Sequence, residues 1–363
     1  MTLAAQRQDA VLAFVRRRGG ARLAELVTLL GVSAVTVRRD VTALADRGLV
    51  VRVHGGITLP RRGSQDSGHR GSVFGGTVLR TAVGMVVPSV EYYWPHVIQG
   101  AQAAVAAADG RLVMRVTHYQ PGEDRRQIAD LLDRGVKTLL VAPVVSGDAG
   151  RELLRWLGGL AASIVLVERR PPPELPTLAL DAATTAHAMG AGLAVRHLVT
   201  LGHRSVALVT SRSSPTSRAL RTGWRDTTAE LGLPCAESID VEVPAYGTPG
   251  WPATYDDVLR GCRRDDVRAM LVHSDREAVG MLERARFLGI DVPGELAVVS
   301  YDDEVAAASD PPLTAVRPQK HRLGRLAAEL ALARAAEGAM RPVHRVELWP
   351  TLEVRESCGG RAP

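Results

Sequence analysis

The chain has 363 residues, of which 46% are hydrophobic, 23% charged and 4% aromatic, and its formal charge is +6. That length asks for two or three compact units, and the composition excludes a disordered chain. No apolar run approaches the ~18–20 residues of a membrane span and Met1–Arg18 lacks a secretory core, so a cytoplasmic location is expected; the scattered Cys235, Cys262 and Cys358 exclude a disulfide framework and a zinc cluster.

The first 59 residues read as three helices and a hairpin. Helix one runs from Leu3 to Arg18 and ends at Gly19-Gly20, and helix two covers Leu23 to Leu30 and stops at Gly31. Ser33 caps a third helix, SAVTVRRDVTALADRG, which ends at Gly48. Leu49–Val53 is strand-like, His54-Gly55-Gly56 turns, and Ile57-Thr58-Leu59 returns as a wing. At ~100° per residue, Val37, Val41 and Leu44 share one face of helix three and should enter the core. Val35, Arg39 and Thr42 face outward, with Arg38 to the side. Residues 1–63 hold eleven arginines against four acidic residues, a net +7, which leaves the rest of the chain at −1. Such asymmetry is the footprint of a part that meets phosphates. An outward Arg suits guanine and an outward methyl suits thymine, while Arg52 and His54 on the wing suit phosphate or minor groove. The bland alternative is a small structural bundle with a solvated basic face.

Residues Ala24-Glu25-Leu26, Val32-Ser33, Thr36-Val37-Arg38-Arg39-Asp40-Val41, Leu44 and His54-Gly55-Gly56 together closely resemble the DeoR-type winged helix-turn-helix. The resemblance covers residues 1–59. It implies that operator DNA is a partner and that Arg38 and Arg39 approach it; with Ser33, Val35, Thr36, Thr42, Arg52 and His54 they make up the expected DNA-facing set. It also implies that Asp40 is structural and holds one of the two neighbouring arginines.

Pro60–Thr77, rich in Gly, Ser and Arg, reads as a flexible linker. Beyond it, short apolar runs alternate with helix-like stretches. The expected strands are Thr81–Val87, Leu112–Val116, Thr138–Ala142 and Ser163–Val167, then Val206–Thr210, Ile239–Val243, Ala269–Val272 and Leu296–Ser300. The expected helices are Pro95–Ala108, Asp124–Arg134, Gly150–Leu160, Thr184–Leu201, Ser217–Leu231, Tyr255–Arg263 and Arg276–Leu288. The loop Arg169–Pro176 (RRPPPELP) is stiff. This alternation implies α/β structure: two doubly wound parallel-sheet lobes. A ligand in such sheets sits outside the carboxyl ends of the strands.

Seven further pieces occur in order: Tyr93-Trp94 before Gly100; Thr200-Leu201-Gly202-His203-Arg204; Gly223-Trp224 to Leu231-Gly232-Leu233; Ser274-Asp275 with Ala278 and Gly280; Val298–Asp303; Pro311-Pro312-Leu313-Thr314; and Leu348–Ser357. Together they resemble the LacI/GalR sensor domain over residues 78–357. The resemblance implies a type I periplasmic-binding-protein-like fold. Lobe one is expected at about 78–181 plus 315–345, and lobe two at about 182–313. It also implies a small effector in the cleft, a sugar foremost, with a nucleoside or another polar molecule as the alternative.

A polyol needs carboxylates to accept from its hydroxyls, an Arg to donate, and a flat aromatic face. Glu91, Tyr93, Trp94, Arg218, Arg221, Trp251, Asp275 and Asp302 supply those types. For the aromatics the alternative is ordinary packing; for Asp275 and Asp302 it is a helix cap or turn. The family's ligand Arg position is Leu220 here, so Arg218 and Arg221 compete for the role. Pro60–Thr77 also lacks the family's hinge-helix pattern. No GxSxG elbow, P-loop, HExxH or strand-borne GxGxxG occurs, so no catalytic residue, metal or cofactor is expected. A transport binding protein is disfavoured by the basic winged head. The expected protein is a homodimeric ligand-responsive repressor of carbohydrate genes, not an enzyme and not membrane-bound.

Overall fold

The computed structural model describes residues 81–212, 214–234 and 239–360. Before them it describes 7, 10–12, 14, 15, 18, 20–32, 36, 37, 40, 41, 44, 50–53 and 56–58. The chain divides into two compact units, Met1–Thr77 and Val78–Pro363. The expected linker, 60–77, lies outside the described residues.

In the first unit Arg7, Ala10–Leu12, Phe14, Val15 and Arg18 are helical. Strand β1 (Gly20–Arg22) leads directly into α1 (Leu23–Leu30), and Gly31, at φ 61°, ends that helix. Strands β2 (Val51–Val53) and β3 (Gly56–Thr58) form the wing, with β3 between β1 and β2 in an antiparallel sheet. Strand β1 corrects the expectation that Gly19-Gly20 merely separates two helices. Three residues are too short to show periodicity, yet Ala21 is buried and pairs with Ile57. Thr36, Val37, Asp40, Val41 and Leu44 are helical, and Val37, Val41 and Leu44 are buried with Val11, Val15, Leu26 and Ile57. The face arithmetic of helix three is therefore visible in the core.

The second unit contains two six-stranded sheets. In chain order its elements are β4 (Ala82–Val87), α2 (Trp94–Ala107), β5 (Arg111–Val116), α3 (Pro121–Asp133), β6 (Thr138–Val141), α4 (Gly147–Gly158), β7 (Ser163–Val167), β8 (Asp181–Thr185), α5 (His187–Thr200), β9 (Ala207–Ser211), α6 (Ser217–Glu230), β10 (Asp240–Val243), α7 (Trp251–Arg264), β11 (Ala269–His273), α8 (Asp275–Phe287), β12 (Ala297–Tyr301), β13 (Thr314–Arg317), α9 (Lys320–Glu337), β14 (Arg345–Leu348) and β15 (Thr351–Glu353). The first sheet has the order β14-β8-β7-β6-β4-β5 and is parallel throughout. The second has the order β10-β9-β11-β12-β13-β15, with only β15 antiparallel. Central strands such as AVGMVV, SIVLV and AMLVH are apolar almost end to end. That is the composition of strands covered on both faces.

The lobe boundaries differ from those expected. Asp181–Thr185 is the strand β8 of the first sheet, not the start of a helix, and Thr314–Arg317 belongs to the second sheet. The DAATT sequence has no large side chain to announce a strand. The chain thus crosses between sheets after Thr185, after Arg317 and after Leu348. The unforeseen α9 packs on α2 of the first lobe at very close range. A Cβ on Gly100 would lie 1.9 Å from the His321 carbonyl oxygen, and one on Gly324 would lie 1.8 Å from that of Val97. Gly223 of α6 has the same reason, since its Cβ would meet the Ala188 carbonyl oxygen at 1.9 Å.

Candidate functional site

Strands β4, β7 and β8 of the first lobe and β11, β12 and β13 of the second end near the crossovers, and the residues just after them converge. Glu168 follows β7 in a left-handed conformation, φ 54°. Its buried carboxylate accepts from the Tyr93 hydroxyl, the Thr185 amide (3.0 Å), the Thr185 hydroxyl (2.6 Å) and His187 Nε2 (3.1 Å). Burial alone would push this carboxyl up, but the attraction and hydrogen bond of His187, with those of Thr185 and Tyr93, outweigh it and hold it down at about 2. His187 Nδ1 lies 3.0 Å from the Tyr301 hydroxyl. The ring therefore stands at the crossover between a carboxylate of lobe one and a phenol of lobe two.

In lobe two, His273 closes β11 and Ser274 precedes α8. The Ser274 amide and hydroxyl both donate to Glu277, at 2.9 and 2.6 Å. The Asp275 side chain is fully buried and accepts the backbone N–H groups of Asp303 (3.3 Å), Glu304 (2.6 Å) and Val305 (3.0 Å). It is the clamp of the loop after β12. Within that loop Asp303 pairs with Arg317 and Arg355, and Glu304 pairs with Lys320 and, at 3.5 Å, His96. The Lys320 ammonium also donates to the Asp302 carbonyl and lies 5.5 Å from the Tyr93 ring centroid.

Asp302 is different. Its φ is 103° and its residue is 5% exposed. Among the described residues its carboxylate receives no hydrogen bond; His273 Nε2 lies 3.8 Å away, and burial holds that imidazole's pKa down at about 4, so it stands there as a neutral ring. Burial first, and the Asp275 charge second, push this carboxyl well above the usual carboxylate range, although Lys320 opposes them. The buried His273 Nδ1 has no partner either.

The lobes also touch through Tyr92, which has φ 57°. Its hydroxyl accepts the Asp275 N–H at 3.2 Å, and the Arg276 guanidinium lies 4.7 Å from its ring centroid. The residues gathered between the two sheets thus include a carboxyl without a hydrogen bond, imidazole and phenol groups, and aromatic edges. Those are the means of holding hydroxyl groups.

Of the residues expected here, Asp302 and Tyr93 lie among the groups gathered at the lobe crossover. Glu91 is exposed in the loop before α2, where its N–H meets Ser89 Oγ, and Arg218 is exposed on the first turn of α6. Four of the expected residues are otherwise engaged in this structure. Trp94 is 4% exposed and packs in the core with Val97 and Leu323. Asp275 spends its acceptors on the 303–305 backbone. Arg221 is tied to Asp240 at 2.7 Å and Glu242 at 3.0 Å, because β10 places both acids beside α6. Trp251 stacks edge-on between Tyr246 and Tyr255 against the core, at 4.7 and 5.1 Å. Tyr92, Glu168, His187, His273, Tyr301, Glu304 and Lys320 were not foreseen. Their common signal is position: Glu168 and Tyr301 end or directly follow strands, and His187 opens the crossover helix.

In the first unit, Thr36 is helical and Arg52 lies on β2; Ser33, Val35, Arg38, Arg39, Thr42 and His54 lie outside the described residues. Asp40 is 4% exposed and takes two hydrogen bonds from Arg7, at 2.8 and 3.3 Å. Among the described residues its partner is thus Arg7 of the first helical segment; the neighbouring Arg38 and Arg39 lie outside the described residues. Among the described residues no cluster of His, Cys, Asp or Glu could hold a metal ion, and no helix is long and apolar enough to cross a membrane.

Residues 7–62 match the model of the DeoR-like helix-turn-helix domain, and residues 195–358 match that of the periplasmic binding protein-like domain. The transcriptional regulator MalR of Streptomyces coelicolor is 29% identical over 286 residues, which are 76% of this chain and 80% of the relative. The arabinose metabolism transcriptional repressor of Geobacillus stearothermophilus is 22% identical over 342 residues, 92% of this chain and 89% of the relative. The ribose operon repressor of Escherichia coli is 24% identical over 290 residues, 76% and 82%. Among solved structures, the regulator CelR in complex with cellobiose superposes with a TM-score of 0.65 at 22% identity, over 90% of this chain and 91% of that one. A LacI-family regulator from Enterococcus faecium with bound ribose gives 0.61 at 20% identity, over 76% and 98%.

Proposed function

We propose that this chain, which joins a DeoR-like helix-turn-helix domain to a periplasmic binding protein-like domain, is a cytoplasmic, homodimeric repressor of carbohydrate uptake or catabolism genes. The head reads an operator of two-fold symmetry through the outward face of its third helix, with Arg38, Arg39 and Thr42, and through Arg52 and His54 of the wing. The effector is a small sugar-like molecule held between the two lobes. The observation that carries this reading is Asp302, a buried carboxyl at a strand end with no hydrogen bond of its own. Leaving such a group without a partner costs free energy that a bound hydroxyl returns. Names that refer to ribose and arabinose among the relatives, and to cellobiose and ribose in two of the neighbouring structures, support a sugar. The groups of the cleft are arranged to bind and orient, so the protein acts as a sensor and not as an enzyme.

Effector binding changes operator affinity only by its differential affinity for the two lobe arrangements, typically worth about 1–3 kcal/mol. The test is operator affinity on the promoter of its own gene neighbourhood at fixed salt, with and without D-ribose, L-arabinose and cellobiose. Sequence-selective binding altered by one sugar is the expected result; absence of selective binding would refute the regulator. Replacing Asp302 by Asn should abolish the sugar response and leave operator affinity unchanged.

A further inference from the structure

Tyr92 stands in a conformation that a tyrosine keeps only when its contacts hold it, with φ 57° in the loop between β4 and α2. Those contacts belong to the other lobe. The Asp275 N–H is the first donor of α8, one of the groups a helix leaves unpaired, and it is satisfied by the Tyr92 hydroxyl at 3.2 Å. The Arg276 guanidinium covers the ring at 4.7 Å. Beside them, the Asp302 carboxyl has no hydrogen bond. A bound polyol would use all three features: a helix-end N–H for an oxygen acceptor, a planar cation for a ring face, and a carboxyl for a hydroxyl donor. Tyr92 already uses the first two.

We propose that Tyr92 is a resident occupant of the site between the lobes, whose phenol holds the place of an effector hydroxyl, and that effector binding displaces it. This rests on the reading of the cleft as the effector site and adds to it a rule of selectivity. The effector must carry an oxygen able to accept the Asp275 N–H, because a C–H there would leave the donor bare once the tyrosine leaves. Occupancy by Tyr92 also lowers apparent affinity in proportion to the fraction of open molecules.

Two measurements on the full chain decide it. Without added sugar, amide exchange at the first turn of α8 should quicken about tenfold in Tyr92→Phe and Tyr92→Ala, while β11 and the later turns of α8 keep the wild-type rate. Unchanged exchange in both variants overturns the proposal. In calorimetric titrations with D-ribose, L-arabinose and cellobiose, any sugar that binds the wild type should bind both variants several-fold more tightly. Weaker binding by Tyr92→Ala also overturns it, since Tyr92 would then be a stacking platform for the sugar. If no sugar binds any of the three proteins, the sugar reading of the cleft fails, and the exchange rates still decide whether Tyr92 is a latch.

Discussion

Replacement of Glu168 by Gln tests the hydrogen-bonded joint at the lobe crossover. The carboxylate takes four donors, and its proton affinity is held down at about 2 against an ordinary value of 4.5. A group depressed in this way stabilises the fold above its unfolded value and loses that contribution as the pH falls through the folded one. A displacement of roughly 2.5 units corresponds to about 3 kcal/mol at neutral pH, of which about 2 kcal/mol is gone by pH 3. Glutamine has the same shape. The two hydroxyls of Tyr93 and Thr185 can rotate to accept from its NH2, while its oxygen serves the Thr185 amide and His187, so no donor need be stranded. What is lost is the charge on the acceptor. The expected result is a variant less stable than wild type by about 2–3 kcal/mol at pH 7, with a stability curve shallower by about 2 kcal/mol between pH 7 and pH 3. Urea unfolding followed by tryptophan fluorescence measures this. All five tryptophans, Trp94, Trp156, Trp224, Trp251 and Trp349, lie beyond Thr77, so the signal reports the second unit without the head. Parallel curves for variant and wild type would refute the reasoning.

Three more outcomes follow from the same structure. The Asp302 carboxyl is raised, so its proton stabilises the fold at low pH and that contribution is lost as pH climbs above the unfolded value; Asp302→Asn should remove a decline of up to about 1.4 kcal/mol per pH unit from the urea curves. Gly324→Ala should cost about 3 kcal/mol or more in the same assay, because its Cβ meets backbone at 1.8 Å, whereas Gly122→Ala, which meets nothing within 4 Å, should be neutral or slightly stabilising. Asp40→Ala strips Arg7 of a partner buried to 5% exposure and should destabilise the head by about 2–3 kcal/mol, read as faster proteolysis within residues 1–77 with an unaltered tryptophan transition.

The architecture was legible wherever a period or a run was long enough. Helix α1 was bounded to the residue, and β4, β7 and β11 were found to within a residue at either end, because Val, Ile and Leu run through them. Two kinds of element escaped. Strands β1 and β8 are short or made of small residues, so their pairing partners, not their side chains, make them strands. Helix α9, the longest helix of the unit, is hard to read because apolar residues run all round it: the buried stripe of Leu323, Gly324, Ala327, Ala328 and Ala331 does not stand out from Leu326, Leu332, Ala335 and Ala336. The motif glycines illustrate a further limit. Gly100 and Gly223 could be noticed as landmarks, but their purpose, the passage of one helix backbone over another, depends on His321 and Ala188, which are remote in sequence.

The cleft was the least legible part, for a reason its geometry makes plain. Residue type predicted chemistry but not commitment. Asp275 and Asp302 are both aspartates at strand ends, both buried, and both matched the same resemblance. One accepts three backbone N–H groups and holds a loop; the other accepts none. The difference follows from the left-handed turn at Asp302 and Asp303, which aims three successive amides at Asp275 and turns the Asp302 carboxyl away from them. The two residues are therefore a pair with divided labour. Asp275 keeps the loop in the shape that leaves Asp302 without a hydrogen bond; under the proposed reading its side chain shapes the site and only its backbone N–H faces the effector. Loss of Asp275 should then disturb the loop as well as the response, whereas Asp302→Asn should silence the response and leave the loop in place.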